Sequence, residues 1–138
     1  MNKNKINSSD FAARMGSYSH GYSVEIDDSK LIFTTGQVAL DKEGNVISPD
    51  NVEEQTRFIY ESLNKILQKE NASLDDVVKT TVYVTDMNDF SKISKIRNEY
   101  FEKSEPASTL VEVSKLVKPE CKVEIEVIAI VTKDKNNQ

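Results

Sequence analysis

The sequence has little of what most catalytic centres are built from: one cysteine, one histidine, four glycines and no tryptophan among 138 residues. Because Cys121 cannot form an internal disulfide, nothing requires an oxidising compartment, and we expect a cytoplasmic protein. His20 has no second histidine or cysteine with which to complete a zinc site, so we expect no metal. The scattered glycines form no phosphate-binding loop, and we therefore expect no nucleotide or other cofactor.

Basic residues are also in the minority. The chain has 18 Lys and Arg against 23 Asp and Glu, a formal net charge of −5. Sequence-independent binding of nucleic acid needs a basic surface, so we expect no nucleic-acid partner. No segment approaches the ~20 apolar residues of a membrane span, and residues 1–10 lack the apolar run of a secretory signal. The sequence thus predicts neither a membrane anchor nor a polyanionic ligand.

Length and composition predict one domain spanning residues 1–138. A chain of this length lies within the ~100–200 residues of a typical domain. With 38% hydrophobic residues it can bury one core without disulfides or metals. Residues 1–11 and 133–138 are polar and unpatterned, and we expect both ends to be frayed.

Two segments have the spacing of amphipathic helices. The first begins at Asn51, which together with Glu54 suits a helix cap, and it should end near residue 70. Its predicted buried stripe is Ile59, Leu63, Ile66 and Leu67. The second follows the capping side chains of residues 86–89 and ends before Pro106. Its predicted buried stripe is Phe90, Ile93, Ile96, Tyr100 and Phe101.

The remaining segments have the alternation and composition of strands. Residues 22–26 and 31–33 predict a hairpin, and residues 38–40 should resume pairing after a break at Gly36, where a bulge or a close backbone approach is expected. Residues 78–84, 108–113 and 121–132 predict three further strands. This order of elements is typical of an α+β fold: one sheet of about six strands, covered on one face by two helices.

The last predicted strand has two unlike faces. Val123, Ile125 and Val127 share one face with the following alternate residues, whereas Ile128 and Ile130 lie on the opposite face. Since two helices cover only one face of such a sheet, these isoleucines either contact another chain or lie in water. Association of several copies is the economical explanation. The alternative is that they are ordinary scattered surface hydrophobes.

By residue type alone, no catalytic site can be assembled. Adjacent residues of a strand point to opposite faces, so Ser19 and His20 cannot belong to one catalytic triad, and His20 is most simply a strand or turn residue. Cys121 has one neighbouring cation, Lys122, which is weak support for a reactive thiolate, and we interpret the cysteine as structural. Polar residues at strand ends remain, among them Tyr18 and Glu124, and each also has an ordinary structural interpretation.

The order of these polar residues along the chain resembles the RidA (YjgF) family of reactive-intermediate deaminases. Residues 16–19 (GSYS) are similar to the family's Gly-Pro-Tyr-Ser element, and residues 33–37 (FTTGQ) to its Ser-Gly-Gln strand. Residues 77–90 (VVKTTVYVTDMNDF) closely resemble its central strand and helix entry. Pro106-Ala107 and residues 123–125 (VEI) match the last two landmarks. The similarity covers residues 12–131, nearly the whole chain.

This resemblance implies a chorismate-mutase-like fold and a homotrimer whose clefts between subunits bind a small molecule such as an imine or a keto acid. It also implies cofactor-free hydrolysis of 2-imino acids to 2-keto acids and ammonia. In the family an arginine holds the substrate carboxylate, while a glutamate and a backbone carbonyl position water. Imines are already electrophilic, so orientation and charge neutralisation can supply much of the acceleration.

Transferred position by position, the resemblance implies catalytic roles for Glu124 and the backbone carbonyl of Leu110, and ligand binding by Tyr18, Thr35 and Gly36. Two positions depart from the family pattern. Ser108 stands where the arginine is expected, and Ser94 replaces the asparagine common in the second helix. A hydroxyl cannot reproduce a guanidinium fork, so 2-imino acids should bind at least about 10-fold to 100-fold more weakly.

Two other arginines are candidates to replace the missing cation. Arg14 precedes the Tyr18 element, which the resemblance places at the rim of the cleft, and Arg97 lies in the second predicted helix. Arg14 is the better candidate by its position, although it can equally be a solvated residue of a flexible lead-in.

Three hypotheses follow for function. The first is a trimeric binding module that has lost 2-imino acid hydrolysis, which Ser108 suggests. The second is an active hydrolase of imines or enamines with an altered substrate preference. The third, an endoribonuclease such as some relatives are named for, fits poorly with a net charge of −5 and a single histidine.

Overall fold

The computed structural model describes residues 2–133 and has the expected α+β architecture. The elements in chain order are β1 (Lys3–Ile6), β2 (Gly21–Ile26), β3 (Ser29–Thr34), α1 (Val52–Gln68), β4 (Val77–Val84), α2 (Phe90–Tyr100), β5 (Ala107–Glu112) and β6 (Val123–Thr132). One six-stranded sheet has the strand order β1-β2-β3-β6-β4-β5. Neighbouring strands are antiparallel except for the parallel pair of β4 and β5. Both helices pack on the same sheet, as the sequence predicted.

Helix α1 begins at the cap that the sequence indicates, whereas Asp89, the residue before α2, makes no side-chain capping hydrogen bond. The Oδ1 atom of Asn51 accepts a hydrogen bond from the Glu54 N–H at 3.1 Å, which satisfies one free donor of the first turn of α1. The predicted stripe of α1 is fully buried, and the chain leaves this helix through Asn71, whose φ is +59°. In α2, Ile93 and Ile96 are fully buried, but Phe90 is exposed rather than part of the stripe because it is the first residue of the helix.

The sheet has one covered and one uncovered face. Alternate residues of β6, from Val123 to Val131, are buried on the helix side. The opposite side of the sheet, here called the uncovered face, carries Glu124, Glu126, Ile128 and Ile130 of β6 together with their neighbours in register, Leu31 and Phe33 of β3, Tyr22 and Val24 of β2, and Tyr83 of β4. On this face Phe33 is 38% and Ile130 43% exposed.

Residues 2–11 are ordered, so the expectation that residues 1–11 are frayed is wrong for this described part, whereas residue 1 lies outside the described residues. Residues 3–6 form strand β1, which pairs antiparallel with β2, and the side chain of Ile6 is buried. A long-range hydrogen bond from Asn4 Nδ2 to Glu70 Oε2, 2.9 Å, fixes the strand to the end of α1. Phe11 is buried as well. These distant contacts hold a segment whose own sequence is polar.

At the other end, Lys133 donates its backbone N–H to Asp28 O at 2.7 Å and is held in place. The other residues expected to be frayed, 134–138, lie outside the described residues.

The prediction of a strand at residues 38–40 is also wrong. There the chain makes isolated bridges, Gln37 with Ile125 and Leu40 with Val46, and β1 is the sixth strand instead.

Within residues 2–133, no helix combines the length and the apolar character needed to cross a membrane.

Cys121 is buried, and this burial raises the pKa of its thiol. Such an environment is that of a structural cysteine rather than a reactive one.

Candidate active site

The Gly36 backbone lies directly against the carboxyl group of Glu124. Reciprocal hydrogen bonds, Gln37 N–H to Ile125 O at 2.8 Å and Ile125 N–H to Gln37 O at 3.0 Å, clamp the segment after β3 onto β6. A β-carbon at position 36 would overlap Oε2 of Glu124 and lie 3.0 Å from its carboxyl carbon. The glycine in the interrupted strand pattern is therefore a close backbone approach, one of the two possibilities that the sequence allowed.

This setting changes the protonation of Glu124. The side chain starts from the uncovered face and is half-buried. Burial, followed by the negative charge of Glu126 two residues along the same face, raises the pKa of Glu124 above its ordinary value of 4.5. A carboxyl group whose pKa is raised toward the working pH is suited to take up and return a proton.

Tyr18 and Thr35 are fixed by the loop that precedes β2. The Tyr18 hydroxyl accepts a hydrogen bond from the Met15 N–H at 3.1 Å, which closes a tight loop around Gly16. The Thr35 hydroxyl donates to the carbonyl oxygen of Ser19, and its N–H donates to His20 O at 2.9 Å. The two side chains are held by the backbone of one short stretch of chain.

Four of the predicted residues meet at one cavity of about 370 Å³, here called the Glu124 cavity. They are Tyr18, Thr35, Gly36 and Glu124. Its other walls include Phe11, Ala12, His20, Gln37, Phe58 and Lys118. A volume of this size is appropriate for a small metabolite, and apolar walls with a few converging polar groups are typical of ligand sites.

Ser108 lies elsewhere in the chain. It is exposed on β5 and lines a second cavity of about 420 Å³ with Arg97, Glu102, Glu105 and Pro106. In register, Glu124 of β6 is opposite Tyr83 of β4, which in turn is opposite Val111 of β5. Strands two positions apart are separated by about 10 Å. The structure therefore does not bring Ser108 into the Glu124 cavity within one chain.

Leu110 and Ser94 also lie outside the Glu124 cavity. Leu110 is on β5, and its side chain packs against the core. The Ser94 hydroxyl is buried within α2 and has no hydrogen-bond partner there. Their predicted roles, a water-positioning carbonyl and a ligand contact, remain predictions.

The two candidate arginines lie at different cavities. Arg14 lines a neighbouring cavity of about 490 Å³ with Tyr18 and Thr35, and its Nη1 donates to Tyr18 O at 3.1 Å. Arg97 lines the Ser108 cavity, and its Nε and Nη2 donate to Asn98 Oδ1 at 3.3 and 3.2 Å. Arg97 thus shares a cavity with Ser108, whereas Arg14 is next to Tyr18.

Residue-type reasoning missed two groups of site residues. His20 was interpreted as an ordinary strand or turn residue, but it is buried in the wall of the Glu124 cavity. Its position two residues after Tyr18 was the available signal. On the uncovered face, the Tyr83 hydroxyl donates to Glu126 Oε1 at 3.0 Å and so fixes the carboxylate that lies beside Glu124. No local pattern identifies that pair, because 43 residues separate them.

Comparison with known proteins extends these observations. Residues 12–131 match the protein family described as Endoribonuclease L-PSP. A RutC family protein of Pyrococcus abyssi is 44% identical over 108 residues, which cover 78% of this chain and 84% of that protein. The 2-iminobutanoate/2-iminopropanoate deaminase of Mus musculus is 36% identical over 118 residues, covering 86% and 84% of the two chains. The crystal structure of Escherichia coli TdcF with bound serine superposes with a TM-score of 0.78 at 28% identity, covering 94% of this chain and 99% of that one.

Proposed function

The chain belongs to the endoribonuclease L-PSP (RidA/YjgF) family, and from this premise we propose that it hydrolyses small reactive imines, with Glu124 as the acid–base residue. One observation carries the proposal: the half-buried Glu124 carboxyl, its pKa raised by burial, is held against Gly36 in the wall of a cavity of metabolite size. Relatives named as deaminases of 2-imino acids support this reaction class.

The chemistry needs one water and one proton carrier. Water adds to the imine carbon, and the electron pair of the C=N bond moves to nitrogen, which takes up a proton. The resulting carbinolamine collapses to a carbonyl compound and expels ammonia. Ionised Glu124 takes a proton from the attacking water and gives it to the imine nitrogen, then takes the hydroxyl proton of the carbinolamine and gives it to the departing amine, so it is regenerated in each cycle. The remaining acceleration comes from orientation in the cavity.

We propose that the cleft is completed by a neighbouring subunit. Tyr18, Thr35, Gly36 and Glu124 lie at one cavity, whereas Ser108 and Leu110 lie on β5 at the edge of the same sheet. In a closed ring of three copies, β5 of one subunit can face the Glu124 cavity of the next. The uncovered face, where Phe33 and Ile130 are partly exposed, is an apolar surface suited to such contacts. Ser108 and the Leu110 carbonyl of the neighbouring subunit would then line the cleft.

The preferred substrate is an imine without a carboxylate. Ser108 brings a neutral hydroxyl in place of a guanidinium fork. The carboxyl groups of Glu102 and Glu105 and the cation of Arg97 line the same cavity. The ammonium of Lys79 lies 2.7 Å from Thr109 Oγ1, on the residue next to Ser108. With two charges of each sign, this surface offers a second carboxylate no dedicated clamp. Without a guanidinium clamp, 2-imino acids should bind about 10-fold to 100-fold more weakly than with one.

A second candidate is a binding module that retains the cleft without turnover. Ser108 favours it, because the substitution removes the charged contact that orients a 2-imino acid for attack. A keto acid or another small metabolite would then be the ligand.

The test combines two substrates with three proteins. A dehydratase generates 2-aminoacrylate in situ, an amine oxidase generates an acyclic N–H imine without a carboxylate from a primary amine, and carbonyl product and ammonia are followed for wild type, Glu124→Gln and Ser108→Arg. We expect wild type to hydrolyse the neutral imine, Glu124→Gln to be at least ~100-fold slower, and Ser108→Arg to gain activity on 2-aminoacrylate.

The outcomes separate the alternatives. Wild-type turnover of 2-aminoacrylate at the rate of an arginine-bearing relative would contradict the altered preference. Absence of turnover of both substrates by wild type, together with binding of a keto acid by calorimetry, would favour the binding module instead.

A further inference from the structure

His20 is held by three hydrogen bonds to one short stretch of the N-terminus. Its Nδ1 accepts from the Ser8 N–H at 3.3 Å, its Nε2 is 2.9 Å from Ala12 O, and its own backbone N–H donates to Asn7 Oδ1 at 3.1 Å. The ring also packs edge-on against Phe11, with centroids 5.2 Å apart. The side chain is only 6% exposed. One imidazole thus organises residues 7–13, here called the N-terminal segment.

The same residue joins two walls of the Glu124 cavity. Phe11, Ala12 and Ala13 of the N-terminal segment line that cavity. The His20 carbonyl accepts the Thr35 N–H at 2.9 Å, and Thr35 immediately precedes Gly36. The backbone of His20 therefore holds the part of the wall that contacts Glu124, and its ring contacts the part formed by the N-terminal segment.

The hydrogen bonds require one protonation state. Since Ser8 offers an N–H and Ala12 a carbonyl oxygen, Nδ1 must be the acceptor and Nε2 the donor. Both requirements are met by the neutral ring with its proton on Nε2. A second proton, on Nδ1, would face the Ser8 N–H and abolish that bond, while the bond to Ala12 would be kept.

We propose that His20 is a proton-operated clasp: its neutral ring binds both Ser8 and Ala12 of the N-terminal segment beside the Glu124 cavity, and protonation of Nδ1 releases the Ser8 end while the Ala12 end stays bound. The proposal rests on the proposed function only in taking the Glu124 cavity as the ligand site.

The charged surroundings do not offer a protonated ring a dedicated partner. The hydrogen-bond partners of the ring are backbone groups. The titratable and charged side chains lining the two cavities that His20 borders are Asp10, Glu43, Glu124, Arg14, Lys42 and Lys118, three of each sign. The bond from Nε2 to Ala12 O becomes charge-assisted in the protonated ring, so the loss is confined to the Ser8 end of the segment.

The sequence simplifies the measurement, because His20 is the sole histidine. Nitrogen-15 NMR of the ring gives one set of signals, which report its tautomer and its titration without assignment. Hydrogen exchange of residues 7–13 is measured above and below that titration, with each value normalised to the unfolded peptide at the same pH. We expect the Nε2–H tautomer in the neutral form and roughly five- to tenfold weaker protection after protonation, the effect of one lost hydrogen bond.

Two variants each retain one of the ring's two hydrogen-bonding positions and remove the other. In His20→Asn the amide oxygen lies near the position of Nδ1 and can still accept from Ser8, so protection should no longer depend on pH. In His20→Gln the amide nitrogen reaches the position of Nε2 but Ser8 loses its acceptor, so protection should be weak at every pH. Residues 123–132 of β6 serve as the internal control for global unfolding.

An Nδ1–H tautomer in the neutral protein would overturn the proposal. So would protection of residues 7–13 that is unchanged across the titration of wild type, a measurement that needs no variant to fold. These measurements report structure and do not depend on the imine assay. If protonation weakens the protection of residues 7–13 but the protein hydrolyses no imine, the role proposed for His20 is supported and only the proposed hydrolase activity is refuted.

Discussion

Gly36 and Glu124 are packed so closely that no other residue type fits at position 36 without moving the carboxyl group. Two backbone hydrogen bonds between Gln37 and Ile125 hold the backbone next to Gly36 against β6, so Gly36 cannot move away from Glu124. The close approach therefore acts on the side chain of Glu124, whose position would decide, under the proposed function, where a proton is delivered in the cavity.

Replacement of Gly36 by alanine should impair turnover much more than folding. The new β-carbon would overlap Oε2 and lie 3.0 Å from the carboxyl carbon of Glu124, so the flexible end of that side chain must rotate away. Overpacking of this kind costs about 1–3 kcal/mol of stability. A displacement of about 1 Å in a catalytic group can cost ~100-fold in rate. Steady-state kinetics and urea unfolding measure the two effects separately.

Gly16→Ala is the matched control, because a β-carbon there meets Tyr18 ring carbons at 3.9 Å, an ordinary contact. It should leave the rate nearly unchanged. If Gly36→Ala kept wild-type kinetics while remaining folded, the positioning of Glu124 by this glycine would be refuted.

The raised pKa of Glu124 has a consequence for stability. Burial and then the charge of Glu126 raise that pKa above the ordinary 4.5, so the folded chain binds this proton more tightly than the unfolded chain does. Ionisation of Glu124 therefore opposes folding, and its cost appears as the pH rises from about 4.5 through the raised pKa. We expect Glu124→Gln to be more stable than wild type near pH 7.5, and the difference to shrink toward pH 4.5.

Denaturant unfolding at several pH values and one protein concentration measures this difference. Glu126→Gln is a second useful variant. It removes the negative charge that helps to raise the pKa of Glu124, so the pH dependence of stability should move to lower pH. A Glu124→Gln variant that is less stable than wild type at neutral pH would mean that the ionised carboxylate is stabilised in the folded protein.

Local sequence patterns predicted those elements whose stability is itself local. The stripe of α1 is periodic and its cap is made by Asn51, three residues from its partner Glu54, so both could be read from the chain. Strand β1 was missed because it contains one apolar residue, Ile6, and depends on pairing with β2 and on the Asn4–Glu70 bond across 66 positions. Patterns cannot report contacts of that range.

The candidate site was predictable in part for the same reason. The resemblance identified Tyr18, Gly36 and Glu124 by their order, and the structure brings them to one cavity. The role of His20 was not predictable, because its partners are backbone atoms of residues 8 and 12 that no side-chain motif records. The separation of Ser108 from Glu124 is likewise a property of the sheet order, which a linear motif does not contain.

The uncovered face gives the last prediction, on assembly. Phe33 is 38% exposed there, opposite Ile128 of β6 and beside Tyr22 of β2, in the middle of an apolar strip. A glutamate at position 33 would place a charge in any contact between copies, where an unpaired buried charge costs several kcal/mol. We expect wild type to sediment as a trimer of 15.6 kDa chains and Phe33→Glu to dissociate it. Gln68→Glu adds the same charge on the exposed side of α1, in the helical layer, and should leave the trimer intact. If β5 of a neighbouring subunit completes the Glu124 cavity, dissociation must also abolish turnover. An active monomer would therefore refute the shared cleft, although it would leave the family and the fold unchanged.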